Sequence, residues 1–227
     1  MWIKICANTT LEDAQLAASL GADALGFIFA PSPRRVTAQE VAEITPHLPK
    51  HIERVGVFQT QDEDEIVRTV EQAGLTAVQL HGGFDLTLPV RLRARLGDRA
   101  RITQSVHWVV EGVAESARAV DRHLSEIAAA GVVDRVLVDS RIGAVLGGTG
   151  VSFDWAAARE IFSAYAGDLK LIVAGGLQPD NVAQAIQELD PWGVDVTSGV
   201  EARPGRKSPE KLAAFIRNAR QARGAAV

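Results

Sequence analysis

The sequence alternates from its first residues to its last between short apolar runs and longer amphipathic stretches, and this alternation restricts the possible folds more than any other feature. Apolar runs at Trp2 to Cys6, Ala22 to Phe29, Glu53 to Phe58, Ala77 to Leu80, Arg101 to Val106, Arg135 to Val138, Lys170 to Val173 and Gly193 to Val196 read as strands. Helical patterns cover Thr10 or Leu11 to Leu20, Thr37 to Leu48 and Asp62 to Ala73. Others start at Asp154, after Pro179-Asp180, and at Ser208, the last running to about Arg223. Gly21 and Gly74 fall just past helix ends, where a left-handed residue is needed. Eight β/α units with short connections and no Asn-Gly hairpin signal favour parallel strands closed into a barrel. The fold class expected is therefore α/β, a (β/α)8 TIM barrel. Periodicity alone also admits a doubly wound open sheet. The stretch from Trp108 to Ala130 is longer and more charged than a minimal unit requires.

At 227 residues the chain fits one barrel domain, 1–227, near the lower end of the size range. Hydrophobic residues make up 47% and charged residues 23%, enough for a large core under a polar surface. A net charge of -4 leaves no electrostatic footprint for nucleic acid. No apolar run approaches the ~20 residues of a membrane helix, and Met1-Trp2-Ile3-Lys4 lacks the layout of a signal peptide. The single cysteine excludes an internal disulfide and a cysteine-based metal cluster. His47, His51, His107 and His123 fall at helix or loop positions without shared spacing, so no metal site is expected from them. A cytoplasmic location follows, with no membrane or nucleic-acid partner; monomer and homodimer both remain open.

Two of the runs end at glycine. Val173-Ala174-Gly175-Gly176-Leu177 and Val194-Asp195-Val196-Thr197-Ser198-Gly199 lie about twenty residues apart. After successive parallel strands, bare backbone amides and the first turn of a short helix can cradle a phosphate. In a β/α barrel that cradle is expected after strands seven and eight. A small phosphorylated metabolite is the ligand this predicts, with Gly175, Gly176, Ser198 and Gly199 around its phosphate.

Barrel chemistry takes place at the C-terminal ends of the strands. Cys6 ends strand one, and a thiol with a cation nearby can act as a general base; as a nucleophile it would want a histidine, for which His81 is the candidate. Asp139 ends strand six, ahead of the glycine-containing loop Gly143 to Gly150, and could donate a proton if burial raised its pKa. Arg34 and Arg35 follow Pro31-Ser32-Pro33 after strand two, where a guanidinium could hold a carboxylate through two parallel hydrogen bonds. His81, at the end of strand four, reads first as structural. Asp195 in strand eight could touch sugar hydroxyls or pair with backbone.

These residues occur within an ordered series: Lys4-Ile5-Cys6, Gly21 to Phe29, Ser32-Pro33-Arg34, Arg54 to Phe58, Val78-Gln79-Leu80-His81-Gly82, Leu137-Val138-Asp139, Gly147-Gly148-Thr149-Gly150, Phe153-Asp154-Trp155, Ala174 to Leu177 and Thr197 to Glu201. The combination resembles the phosphoribosylanthranilate isomerase family of tryptophan biosynthesis, from residue 4 to about 207. The resemblance implies an Amadori rearrangement of an aminoaldose to an aminoketose, with no metal or organic cofactor. It implies Cys6 as general base and Asp139 as general acid. Arg35 would hold the anthranilate carboxylate, although Arg34 beside it makes that alignment ambiguous. The glycines and Ser198 would hold the phosphate. Apart from the resemblance, Asp195 and His81 are expected from their strand-end positions to face substrate. Two positions depart from the family pattern. Ala7 and Asn8 follow the cysteine where glycine is usual, so the first loop is expected to be set differently. Ala174 replaces a serine and removes one hydroxyl contact. The histidine-pathway isomerase is the nearest enzyme rival, but it uses aspartates as both acid and base, and Cys6 argues against it. A non-catalytic phosphate-binding barrel is disfavoured by the joint presence of Cys6, Asp139 and Arg35.

Overall fold

A computed structural model describes residues 1–109, 113–142, 145–146 and 154–224. In chain order its main elements are β1 (Trp2–Ile5), α1 (Leu11–Ser19), β2 (Ala24–Ile28), α2 (Ala38–Ile44), β3 (Glu53–Phe58), α3 (Glu63–Ala73), β4 (Ala77–Leu80), α4 (Thr87–Leu96) and β5 (Arg101–Val109). They continue with α5 (Val113–Ala130), β6 (Arg135–Ile142), β7 (Val145–Leu146), α6 (Trp155–Tyr165), β8 (Leu171–Val173), α7 (Val182–Leu189), β9 (Gly193–Val196), β10 (Glu201–Arg203), β11 (Arg206–Lys207) and α8 (Pro209–Gly224). Strands β5-β4-β3-β2-β1-β9-β8-β6 are neighbours in that order, and β5 also pairs with β6, so eight parallel strands close into a barrel. The open-sheet alternative is excluded. Short β7 runs antiparallel to the end of β6, and β10 and β11 form a separate antiparallel pair.

Local signals account for the element boundaries. Thr10 accepts a hydrogen bond from the Asp13 amide, and Asp62 accepts from those of Asp64 and Glu65, capping α1 and α3. Thr37 and Glu40 form a reciprocal capping box at the start of α2. Gly74 ends α3 in the left-handed conformation at φ 62°.

Alternation along the strands divides the interior into two faces. Ile3, Ile5, Leu25, Phe27, Val136, Val138, Val173, Val194 and Val196 belong to the main core between barrel and helices. The residues interleaved with them (Lys4, Cys6, Ala24, Gly26, Leu137, Asp139, Ile172, Ala174 and Asp195) are on the opposite face, inside the barrel. At its N-terminal end this interior is closed by Trp2 and Trp192, ring centroids 5.2 Å apart, with the Arg135 guanidinium 4.7 and 4.9 Å from their centres.

Two strands run past their expected ends. β5 continues to Val109 and β6 to Ile142, because pairing between them persists through His107 with Asp139 and Val109 with Arg141. Asp139 therefore lies within its strand. The long charged stretch is mostly α5, eighteen residues whose buried positions Ser116, Val120, Leu124 and Ile127 recur at helical spacing. Of the Gly143 to Gly150 loop, only Val145–Leu146 falls within the described residues.

Candidate active site

Inward-facing polar side chains gather at the C-terminal end of the barrel. Cys6 is 4% exposed, and its amide donates to the Val196 carbonyl, carrying the β1–β9 ladder one residue past β1. The next residue, Ala7, is fully buried with φ at 60°. It thus adopts the left-handed conformation that glycine takes freely, at a cost of about 1 kcal/mol. The alanine in the first loop therefore carries backbone strain that a glycine would not. Asn8 holds it, its Nδ2 donating to the carbonyls of Ile5 at 2.8 Å and Gly26 at 3.2 Å.

Asp139 is 6% exposed. Burial, reinforced by the charge of Asp195, raises its pKa from 3.8 to about 7, against the opposing pull of Lys4 and the Ser140 amide. A carboxyl in that state holds a transferable proton near neutrality. His81 faces it, Nε2 3.7 Å from Asp139 Oδ2, and its Nδ1 lies 3.0 Å from Ser105 Oγ. Burial, then the neighbouring His107 and Lys4, lower the His81 pKa to about 3, so the imidazole is neutral at physiological pH. The contacts of His81 thus run to the acid rather than to the thiol.

His107 stands edge-on to His81, centroids 4.8 Å apart. Placed on a helix or loop by sequence, it is instead in β5, two residues beyond Ser105 on the same face. Extending the alternation of strand five by one more pair would have found it. Among the described residues, His81, His107 and Asp139 form one group that could offer a cation three ligand atoms, all within 4.8 Å of one another. A proton on Asp139 and a cation there exclude each other.

The two arginines divide clearly. Arg34 is bound to Glu201 through Nε at 2.9 and 3.0 Å and Nη2 at 2.7 Å, and Glu201 is 6% exposed. Arg35 is exposed and lines a cavity of about 210 Å³ with Phe29, Phe58 and Gln59. Phe29 and Phe58 stack there at 5.1 Å and 11°. Arg34 is thus committed to the fold, and the guanidinium facing an aromatic-walled cavity is that of Arg35.

Asp139, Asp195, Gly175, Gly176 and Ser198 line one small cavity. Gly175 has φ 83°, and a Cβ on it would lie 2.1 Å from Ser140 Oγ and 2.4 Å from the Ser140 amide nitrogen. Only glycine fits there, which brings the backbone after β8 against the strand carrying Asp139. A short 3-10 turn begins at Ser198, and Ser198 and Gly199 also line an outer cleft with Gln178 and Lys211. Asp195, expected at sugar hydroxyls or backbone, pairs with the ammonium of Lys4 at 2.9 Å. Lys4 was read from sequence only as part of a motif.

The chain is similar to known proteins over nearly its full length. A family model described as N-(5'phosphoribosyl)anthranilate (PRA) isomerase matches residues 3–218. An N-(5'-phosphoribosyl)anthranilate isomerase of Citrifermentans bemidjiense is 40% identical over 220 residues, covering 96% of this chain and 97% of that protein. One from Deinococcus radiodurans is 41% identical, covering 94% of each. Among solved structures, phosphoribosyl anthranilate isomerase from Thermotoga maritima superposes with a TM-score of 0.82 at 33% identity, covering 97% of this chain and 99% of that one. A phosphoribosyl anthranilate isomerase in complex with reduced 1-(o-carboxyphenylamino)-1-deoxyribulose 5-phosphate gives 0.79 at 32% identity, with the same coverage.

Proposed function

The chain belongs to the phosphoribosylanthranilate isomerase family, and from that premise we propose that it converts N-(5-phosphoribosyl)anthranilate to 1-(2-carboxyphenylamino)-1-deoxyribulose 5-phosphate. The backbone of Gly175 and Gly176 and the turn at Ser198-Gly199 hold the phosphate. Arg35 takes the anthranilate carboxylate, while Phe29 and Phe58 offer the ring an apolar wall. Asp139 gives its proton to the furanose ring oxygen as the C1–O bond breaks, and the aniline nitrogen lone pair forms the C1=N bond. The iminium acidifies the proton on C2. Cys6, as thiolate, removes that proton, and the C2–H electrons form the C1=C2 bond while nitrogen regains its lone pair. The enol hydroxyl on C2 then loses its proton, C1 gains one, and the ketone results. Each positioned proton transfer contributes roughly 10²–10⁴-fold. No step calls on a cofactor or metal, and His81 and Asp195 act beside the acid.

What carries this reading is the setting of Asp139, a buried carboxyl near half-protonation at neutral pH that lines the same cavity as the phosphate glycines. The test is turnover of freshly generated phosphoribosylanthranilate with EDTA present and Asp139→Asn as control. Formation of the aminoketose by the native chain, lost in the control, is the expected result. No turnover by folded native protein would refute the activity, and full turnover by the variant would refute the acid.

A single barrel domain acting in the cytoplasm goes with a step on a free phosphorylated metabolite; fractionation tests the location. None of the described helices is long and apolar enough to cross a membrane. A monomeric dimer-derived form and the dimeric parent are both named for the Thermotoga maritima relative. Among the described residues only Val90 and Val113 are large exposed apolar side chains, which favours a monomer here, and sedimentation decides it.

A further inference from the structure

Lys4 is 1% exposed, inside the barrel, and the mechanism above leaves it without a task. It stands opposite Asp195 in the β1–β9 register, with Nζ 2.9 Å from Oδ1. Cys6 lies two residues on, over the same interior. Both side chains rest on Gly26 of β2, where an added Cβ would meet Cys6 Sγ at 2.6 Å and Lys4 Cε at 3.0 Å. The sulfur and Cε are therefore within the sum of those distances of each other. The missing side chain at Gly26 is what lets the ammonium stem and the thiol share one space.

A thiolate in such a place needs a positive charge, since burial alone disfavours the ionised form. Four further charged groups face the region. Asp195 of β9 holds Lys4 from the other side. Lys207 of β11 donates to the Cys6 carbonyl oxygen and lies 3.7 Å from Glu201. Glu201 of β10 binds Arg34 from the loop after β2. Arg34 and Lys207 are thus both drawn towards Glu201, and Lys4 alone of the three cations extends along the same strand face as the sulfur. Resting on the reading of Cys6 as the base, we propose that Lys4 is a positioning residue for it: the buried ammonium, anchored on Asp195, supplies the charge against which the sulfur becomes a thiolate. In agreement, burial raises the Cys6 pKa while Lys4 is the largest influence lowering it. Burial likewise works against the charge on Lys4, but Asp195 and Cys6 outweigh it and hold its pKa above the ordinary value.

Because the chain has one cysteine, thiolate ultraviolet absorbance during a pH titration reports this sulfur alone, with Cys6→Ala as the blank. Lys4→Met should cut the thiolate fraction near neutrality by about tenfold or more, one unit of pKa. It should lower kcat in proportion, leave KM nearly unchanged, and move the alkaline fall of kcat to higher pH. Because Lys4→Met strands a buried carboxylate, Lys4→Met/Asp195→Asn is the companion, removing both charges at once. A folded variant whose sulfur titrates as in the native chain overturns the proposal, and so does a fall in kcat without displaced titration. The base reading fails separately, by Cys6→Ala turning over normally, whatever Lys4 does to the sulfur.

Discussion

Replacing Asp139 by asparagine should separate stability from turnover in a way that depends on pH. In the folded protein the carboxyl pKa is about 7, against 3.8 for the ordinary group, chiefly because burial disfavours its charge. Below the unfolded value both states hold the proton and Asp139 contributes nothing to the pH dependence. Between the two values the unfolded chain releases its proton while the folded chain keeps it. There the folded state binds more protons, so stability falls as pH rises. Above about 7 the full penalty is in place. The interval is a little over three units, which at about 1.4 kcal/mol per unit amounts to about 4 kcal/mol. Asparagine has the same shape and no charge to bury, so Asp139→Asn should be about 4 kcal/mol more stable than the native chain above pH 8 and nearly equal to it near pH 4. Urea unfolding of both proteins across that range measures the difference, and turnover at neutral pH should be lost in parallel. A stability difference that does not change with pH would refute the burial argument, and with it the reason for Asp139 holding a proton at neutral pH.

Arg35→Ala should raise KM by about 10–100-fold with kcat less affected, as befits loss of a charge-assisted pair to substrate. Arg34→Ala should instead lower stability by about 3 kcal/mol, because it leaves buried Glu201 without its bidentate partner; thermal unfolding separates the two. Gly175→Ala meets both a left-handed φ and the Ser140 backbone, so it should cost about 2–5 kcal/mol and raise KM through the phosphate. The free enzyme's kcat/KM should rise about tenfold per pH unit up to about 7, as thiolate forms, then level as Asp139 ionises. It should fall only beyond the Cys6 pKa, which burial pushes above 9.0; a profile already falling below pH 6 would contradict both assignments.

The closed parallel barrel was legible because eight apolar runs separated by helical stretches leave few other solutions, and β3, β4 and β9 carry the bounds that periodicity assigns them. What was missed came from tertiary pairing. The alternation through Val106-His107-Trp108 permits strand five to go on, but only β6 staying alongside decides it, and the extension puts His107 beside His81. The choice between Arg34 and Arg35 turns on Glu201, which is 167 residues away and pairs with only one of them. Ala7 takes a left-handed conformation that propensity disfavours, held by the pairing of Cys6 to Val196 and the bonds of Asn8. The phosphate glycines were readable as a motif. The close approach that requires Gly175 depends on Ser140, in a strand the local sequence does not connect to it.

One interior layer links these effects. Lys4 and Asp195 are register partners, Asp139 feels both charges, and Cys6 lies above Lys4 on the same strand face. The proposed acid must be kept protonated and the proposed base deprotonated, which is opposite to what simple acidity would give a carboxyl and a thiol. The layer works in that direction. The negative charge of Asp195 raises the carboxyl, and the positive charge of Lys4 lowers the thiol. Lys4 also opposes the first effect, and Asp195 the second, so neither charge can be removed without moving both groups. With the acid near 7 and the thiol held above its ordinary value by burial, the form with proton on carboxyl and charge on sulfur is a small minority of the free protein. A substrate that brings its own phosphate and carboxylate charges into the mouth acts on that minor form. Such a site is expected to lose rate gradually as Lys4 or Asp195 is changed, and abruptly only when Cys6 or Asp139 is.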